Sequence, residues 1–235
     1  MKLAIMQPYF FPYIGYFQLI QSVDHFVFFD TPQYEKRGWM NRNRIINPKE
    51  GFTYITVPTE KAPQNTPLNK IRIDDTQDWR ERIEGQLNVY KKRATFYSEV
   101  MELVESVLKQ PEESLFALNI YSIQKTCEFL ELPFSPDIFS KMNLFVRDEC
   151  EPDEWALNIT KAMGYDVYVN APGGASFFDR GKYTQAGIEL RFIQPKLTPY
   201  VQKIGRFESG LSILDVMMFN PKDKVREMLQ EYELV

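Results

Sequence analysis

Ala4-Ile5-Met6-Gln7-Pro8-Tyr9-Phe10-Phe11-Pro12-Tyr13-Ile14-Gly15-Tyr16 decides how this chain is read. A short apolar run, Leu3 to Met6, stops at Gln7-Pro8 and passes through a second proline, Pro12. Ile14, Phe17, Leu19 and Ile20 then recur at helical spacing and predict a helix over about 13–22. Strand, stiff turn and helix start, in that order, build ligand sites at the carboxyl ends of strands in α/β proteins. Free N–H groups at such a helix start favour a phosphate or a carboxylate. Gln7, Tyr9, Tyr13, Gly15 and Tyr16 are therefore candidate ligand contacts. The competing reading is a buried aromatic turn that only fixes the first strand.

Working outward, Phe26 to Phe29 is a continuous apolar run of the kind that forms a buried parallel strand. It ends at Asp30-Thr31-Pro32, which puts the Asp30 carboxylate at a strand's carboxyl end. The two strands and the helix between them predict a βαβ unit. A polar, basic segment over 31–44 leads to an alternating strand, Phe52 to Val57, and a loop over 61–69. Ile71-Arg72-Ile73 reads as another short strand. From about 77 to 131 the period turns helical, with Pro111-Glu112-Glu113 suited to the first turn of a third helix. A strand over 138–146, a helix over 154–163 and strands over 166–170 and 189–193 follow, then a helical region from near Ser212. The expectation is one α/β domain over 1–235, with residues 77–131 as a helical insertion.

Composition narrows the function. The 235 residues carry 28 basic and 32 acidic side chains, for a net charge of −4, which argues against general nucleic-acid binding. Aromatics reach 14%, and 13 tyrosines weakly favour a cleft for a polar, ring-containing ligand. Two cysteines, Cys127 and Cys150, are too few for a disulfide framework or a zinc site, so no metal is expected and a cytoplasmic location fits. No apolar run approaches 18 residues, so membrane insertion is not expected. The single histidine, His25, reads as the structural start of the second strand, which sets histidine-based nucleophilic schemes aside.

Three further segments are suited to carrying chemistry. Lys36, Arg37, Arg42 and Arg44, with Trp39, Asn41 and Asn43 among them, suit a diphosphate clamp with a stacking ring. A solvated loop is the alternative. Gly173-Gly174 follows an apolar strand and allows close backbone approach to a ligand, with Tyr183 just beyond; a plain turn explains it equally. Tyr200 and Gln202 sit in a loop ahead of Ser212, which reads as an N-cap with Asp215 as its capping-box-like partner. Asp30 and Asp215 are the candidate general bases. No cofactor follows from these patterns.

Tyr13-Ile14-Gly15-Tyr16 is similar to the His-Ile-Gly-His motif that follows the first strand of adenylyl- and nucleotidyl-transferases. That similarity implies a Rossmann-like (nucleotidyltransferase/HUP-like) parallel sheet. Tyrosines in place of histidines bind phosphate more weakly and count against the same chemistry. The chain as a whole resembles the WbqC-like family. The resemblance rests on residues 7–16, Asp30, Trp39-x-Asn41-Arg42-Asn43-Arg44-Ile45, and Tyr200-x-Gln202 ahead of Leu211-Ser212-Ile213-Leu214-Asp215. It implies a transferase of surface-polysaccharide (O-antigen, lipopolysaccharide) biosynthesis that moves glycine or another acyl group to a nucleotide-linked amino sugar. Other expectations remain open: an ATP-dependent adenylyl transferase, and a non-catalytic binding protein of a polysaccharide assembly pathway.

Overall fold

A continuous apolar run, buried on both faces, places β1 (Lys2–Met6) near the centre of a six-stranded sheet in a computed structural model that describes residues 1–146, 150–203 and 206–235. β1 pairs in parallel with β2 (His25–Phe28) on one side and with β6 (Val167–Asn170) on the other. Outside β2 lies the two-residue β5 (Asp137–Ile138), also parallel. Outside β6 lies the parallel β7 (Glu189–Pro195), edged by the antiparallel β8 (Tyr232–Leu234). The fold is thus mixed α/β with a mostly parallel central sheet. After β1 the chain moves to one side, and after β6 to the other, so the carboxyl ends of these neighbours border a topological switch point.

The period of two sorts the side chains onto two faces. Leu3, Ile5, Val27, Tyr168, Leu190 and Phe192 pack under α5 (Trp155–Ala162) and α6 (Arg180–Gln185) in one cluster. Ala4, Phe26, Phe28, Val169 and Ile193 face a larger cluster built with α1 (Ile14–Gln21) and the helices of the middle of the chain. Those are α2 (Trp79–Leu87), α3 (Tyr97–Leu108) and α4 (Leu115–Phe129), so the expected helical block shares its core with the sheet. α7 (Ile213–Phe219) and α8 (Lys222–Met228) close the same side.

Several expected elements differ. The basic segment does not stay a loop: β3 (Arg42–Ile46) pairs with β4 (Phe52–Thr56) as a separate antiparallel hairpin. Arginine and asparagine hid this strand from a propensity reading, and only Asn43, Ile45 and Ile46 turn inward. Ile71 to Ile73 forms no strand, because its backbone makes single bridges to two different partners, Thr59 and Ser114. Pro111 to Glu113 precedes α4 instead of opening it. Ser114 is the N-cap, accepting from Ala117 N, and the Glu112 carboxylate accepts from Ser114 N. The strand expected over 138–146 is reduced to β5 and a 3-10 turn, Phe139–Lys141. β8, three residues long, gave no signal and falls where a helix was expected.

The proline-studded stretch is a packed knot. The carbonyls of Pro8, Phe10 and Phe11 accept hydrogen bonds from the side chains of Asn119 (2.9 Å), Asn43 (3.1 Å) and Ser212 (2.7 Å). The carbonyl of Pro12 accepts from Ile213 N at 2.9 Å. Phe10 and Phe11 are fully buried, and Phe11 sits at φ +39°, a left-handed conformation that only the surrounding bonds make tenable. Tyr13 lays its ring across Gly15, where an added Cβ would lie 2.4 Å from a ring carbon. Gly15→Ala is therefore expected to force the ring aside and destabilise the fold by about 1–3 kcal/mol. A chemical denaturation midpoint equal to wild type would mean the ring moves freely.

Candidate functional site

Two of the cavities are large, each of about 510 Å³. One lies at the amino end of the sheet, beside Asp24, His25 and Phe134. Its charges are already committed: Asp24 accepts from Lys2 N at 2.6 Å, and His25 Nε2 meets Asp137 at 2.9 Å. The other opens at the carboxyl ends of β2 and β5, where α/β sheets bind ligands. Asp30, Asn69, Lys70, Glu112, Tyr121 and Lys141 are among its lining residues.

Asp30 follows β2, is 1% exposed, and is held by three donors. Ser140 N donates to Oδ1 at 3.0 Å and Asn69 Nδ2 to Oδ2 at 2.9 Å, while the Ser140 hydroxyl also donates to Oδ2. An ionised carboxylate accepts about four hydrogen bonds, so these three donors leave Oδ1 with acceptor capacity to spare. Asn69 keeps its own Oδ1 buried without a hydrogen-bond partner beside this carboxylate. Phe116 and Ile120 of α4 supply an apolar wall, and the Tyr121 hydroxyl accepts from Gln110 Nε2 at 3.3 Å. Ser140 and Asn69 escaped sequence reasoning. Nothing local marks them, because Asp30 gathers them across 110 and 39 residues of chain.

Asp215 has a different setting. It is fully buried on α7 and accepts from Tyr90 (2.7 Å), Gln202 Nε2 (2.8 Å) and the Tyr200 hydroxyl. Burial pushes its carboxyl pKa up, against the lowering effect of those donors. It also pushes the Tyr90 and Tyr200 hydroxyls well above the ordinary range, with the neighbouring carboxylate adding to the effect. The cavity beside Tyr200 holds only about 10 Å³. Ser212 caps α7 through Leu214 N as expected, but no capping box forms, since Ser212 N donates to Arg44 O and the Asp215 side chain turns to the tyrosines.

The basic segment does meet the proline-studded stretch, through Asn43, but its cations lie apart from the large cavity. The guanidinium of Arg42 covers the Tyr54 ring at 4.2 Å and donates to Gly38 O, and also to Arg37 O. Arg44 lies over Phe52 (4.8 Å) and Trp39 (5.2 Å) and donates to Gly210 O at 2.8 Å. Arg37 is exposed at φ +65°, and Asn41 donates to Val57 O. Tyr16 is buried and donates to Gln7 O at 2.9 Å. Tyr9 is half-buried, its pKa pushed up to about 12 by burial and then by Glu35.

At the switch point, Gly173 faces open space, whereas a Cβ on Gly174 would meet Asn170 Nδ2 at 2.8 Å and the Phe178 ring at 2.9 Å. Close packing of the chain on itself accounts for Gly174. Tyr183 is buried in the smaller core, stacked on Tyr168, with its hydroxyl unpartnered. Among the described residues no His, Cys, Asp and Glu group could hold a metal ion, and no helix is long and apolar enough to cross a membrane.

A profile of the WbqC-like protein family matches residues 7–227, taking in the knot, Asp30, the hairpin and α7. The chain belongs to the WbqC-like family. It is also similar to a Mycobacterium tuberculosis (strain ATCC 25618 / H37Rv) protein described as "Uncharacterized protein Rv1507c", 30% identical over 222 residues, or 93% of each chain. No solved structure matches.

Proposed function

We propose that this WbqC-like chain is a cytoplasmic transferase of surface-polysaccharide biosynthesis with a Rossmann-like sheet. It joins glycine or another acyl group to an amino group of a nucleotide-linked sugar. The observation that carries this reading is the Asp30 carboxylate, fixed by three donors with acceptor capacity to spare, beside a cavity of about 510 Å³ at the strand carboxyl ends. In the step, the amine lone pair attacks the carbonyl carbon of an activated acyl donor. A C–N bond forms, the bond to the donor's leaving group breaks with its electron pair, and Asp30 takes the proton from nitrogen. Asn69 and Ser140 hold the base in place. Asp215, sealed behind two tyrosines, serves as an anchor for α7 in this reading.

Adenylyl transfer is less well supported. The Tyr13 ring fills the space over Gly15 that a nucleotide base takes in the His-Ile-Gly-His enzymes. The test is the polysaccharide itself, from cells whose copy of the gene carries Asp30→Asn. Loss of an amide-linked acyl substituent from an otherwise intact repeat unit is expected. An unchanged substituent would leave a non-catalytic assembly role as the better account.

A further inference from the structure

We infer that Lys70 and Lys141 bind the phosphate, and Glu112 the ammonium group, of an amino-sugar phosphate held in the Asp30 cavity, the ammonium giving one proton to Glu112 before the neutral amine attacks and the second to Asp30. This rests on the proposed function and names which charges recognise its substrate.

Four charged side chains line the cavity: Asp30, Glu112, Lys70 and Lys141. Asp30 already has three donors, but among the described residues neither lysine forms an ion pair, and Glu112 accepts only from Ser114 N (2.9 Å). Four other lysines are ion-paired, Lys182 with Asp153 and Glu154, and Lys109, Lys125 and Lys224 along their helices; Lys70 and Lys141 are set apart by sharing one cavity with Asp30 and Glu112. Two free cations and a free carboxylate around one hollow are complementary to a ligand carrying both signs. A lysine ammonium serves as a mobile point charge for phosphate, without the fixed fork of an arginine. Both lysines end 3-10 turns, Leu68–Lys70 and Phe139–Lys141, that also supply the Asp30 donors Asn69 and Ser140. The two turns therefore fix the base and deliver the cations together. Arg42 and Arg44, spent on rings and carbonyls of their own neighbourhood, are not needed for the task.

Calorimetric titration with glucosamine 1-phosphate, its N-acetylated counterpart and uridine diphosphate tests this on the full chain. The free-amine sugar phosphate is expected to bind, and K70A/K141A to weaken it by about tenfold or more. Both lysines are exposed, so the double variant is expected to fold, and K70R/K141R is expected to retain binding. N-acetylation is expected to weaken binding to wild type but to make no difference in Glu112→Gln. Binding that survives K70A/K141A and is lost in R42A/R44A would overturn the inference and leave the transferase reading standing. So would the absence of any binding where Asp30→Asn still removes the substituent in cells. Equal affinity of wild type for the free and acetylated amines would remove Glu112 from the site.

Discussion

Asp215→Ala is expected to lower stability by about 3–4 kcal/mol, visible as a fall in Tm on the order of 10 °C. The carboxylate joins three separate parts of the chain. Tyr90 accepts from Ile46 N of β3 and donates to Asp215 of α7, while Tyr200 and Gln202 approach from the loop before it. Alanine would leave two buried hydroxyls and an amide facing an apolar gap. Asp215→Asn keeps the shape and most of the bonds, and separates packing from charge. Because burial raises the Asp215 pKa above its ordinary 3.8, the folded chain holds this proton more tightly than the unfolded chain. Its stabilising contribution is then complete below 3.8 and is lost as pH rises through the raised folded value. Denaturant unfolding at several pH values should show the stability of the asparagine variant gaining on wild type from about pH 4 toward neutrality. A gap that stays flat, or closes in the other direction, would mean that the three donors outweigh burial.

The sequence disclosed the fold better than the site, for physical reasons. β1, β2 and β6 are runs of apolar residues buried on both faces, and that pattern survives without knowledge of their partners. β3 was obscured because a strand carrying Arg42, Asn43 and Arg44 draws its stability from cross-strand rings and from the Phe10 carbonyl, not from its own propensity. The signature motifs carry a structural load that their sequence does not reveal. Gln7 to Tyr16, Asn43 and Ser212 are chemically conspicuous, yet much of their polarity is spent on holding one buried turn. Asn119 joins them from α4, a helix whose sequence suggested packing alone. The place of Asp30 at a strand end was legible in the turn signal after β2, whereas Ser140 and Asn69 become its partners only through the fold.

If Asp30 takes the amine proton of the proposed transfer, Asp30→Asn should cost about 10²–10⁴ in transfer rate, and should do so while ligand still binds. The substitution removes the proton acceptor and also places an amide nitrogen among donors. Ser140 N, the Ser140 hydroxyl and Asn69 Nδ2 would then share one carbonyl oxygen. A stability loss of about 1–3 kcal/mol is expected alongside, since hydrogen bonds to a charged acceptor are exchanged for weaker or missing ones. That loss makes reduced activity alone ambiguous. Ser140→Ala resolves it: the hydroxyl donor goes, the backbone donor from residue 140 and the carboxylate remain, and Ser140 itself is exposed. If Asp30 is the base, Ser140→Ala keeps transfer within about tenfold of wild type despite a similar thermal shift, because the acceptor of the amine proton is still in place. Equal collapse of transfer in both variants would reduce Asp30 to a tie between two loops, and the chemistry would have to be sought elsewhere in the cavity.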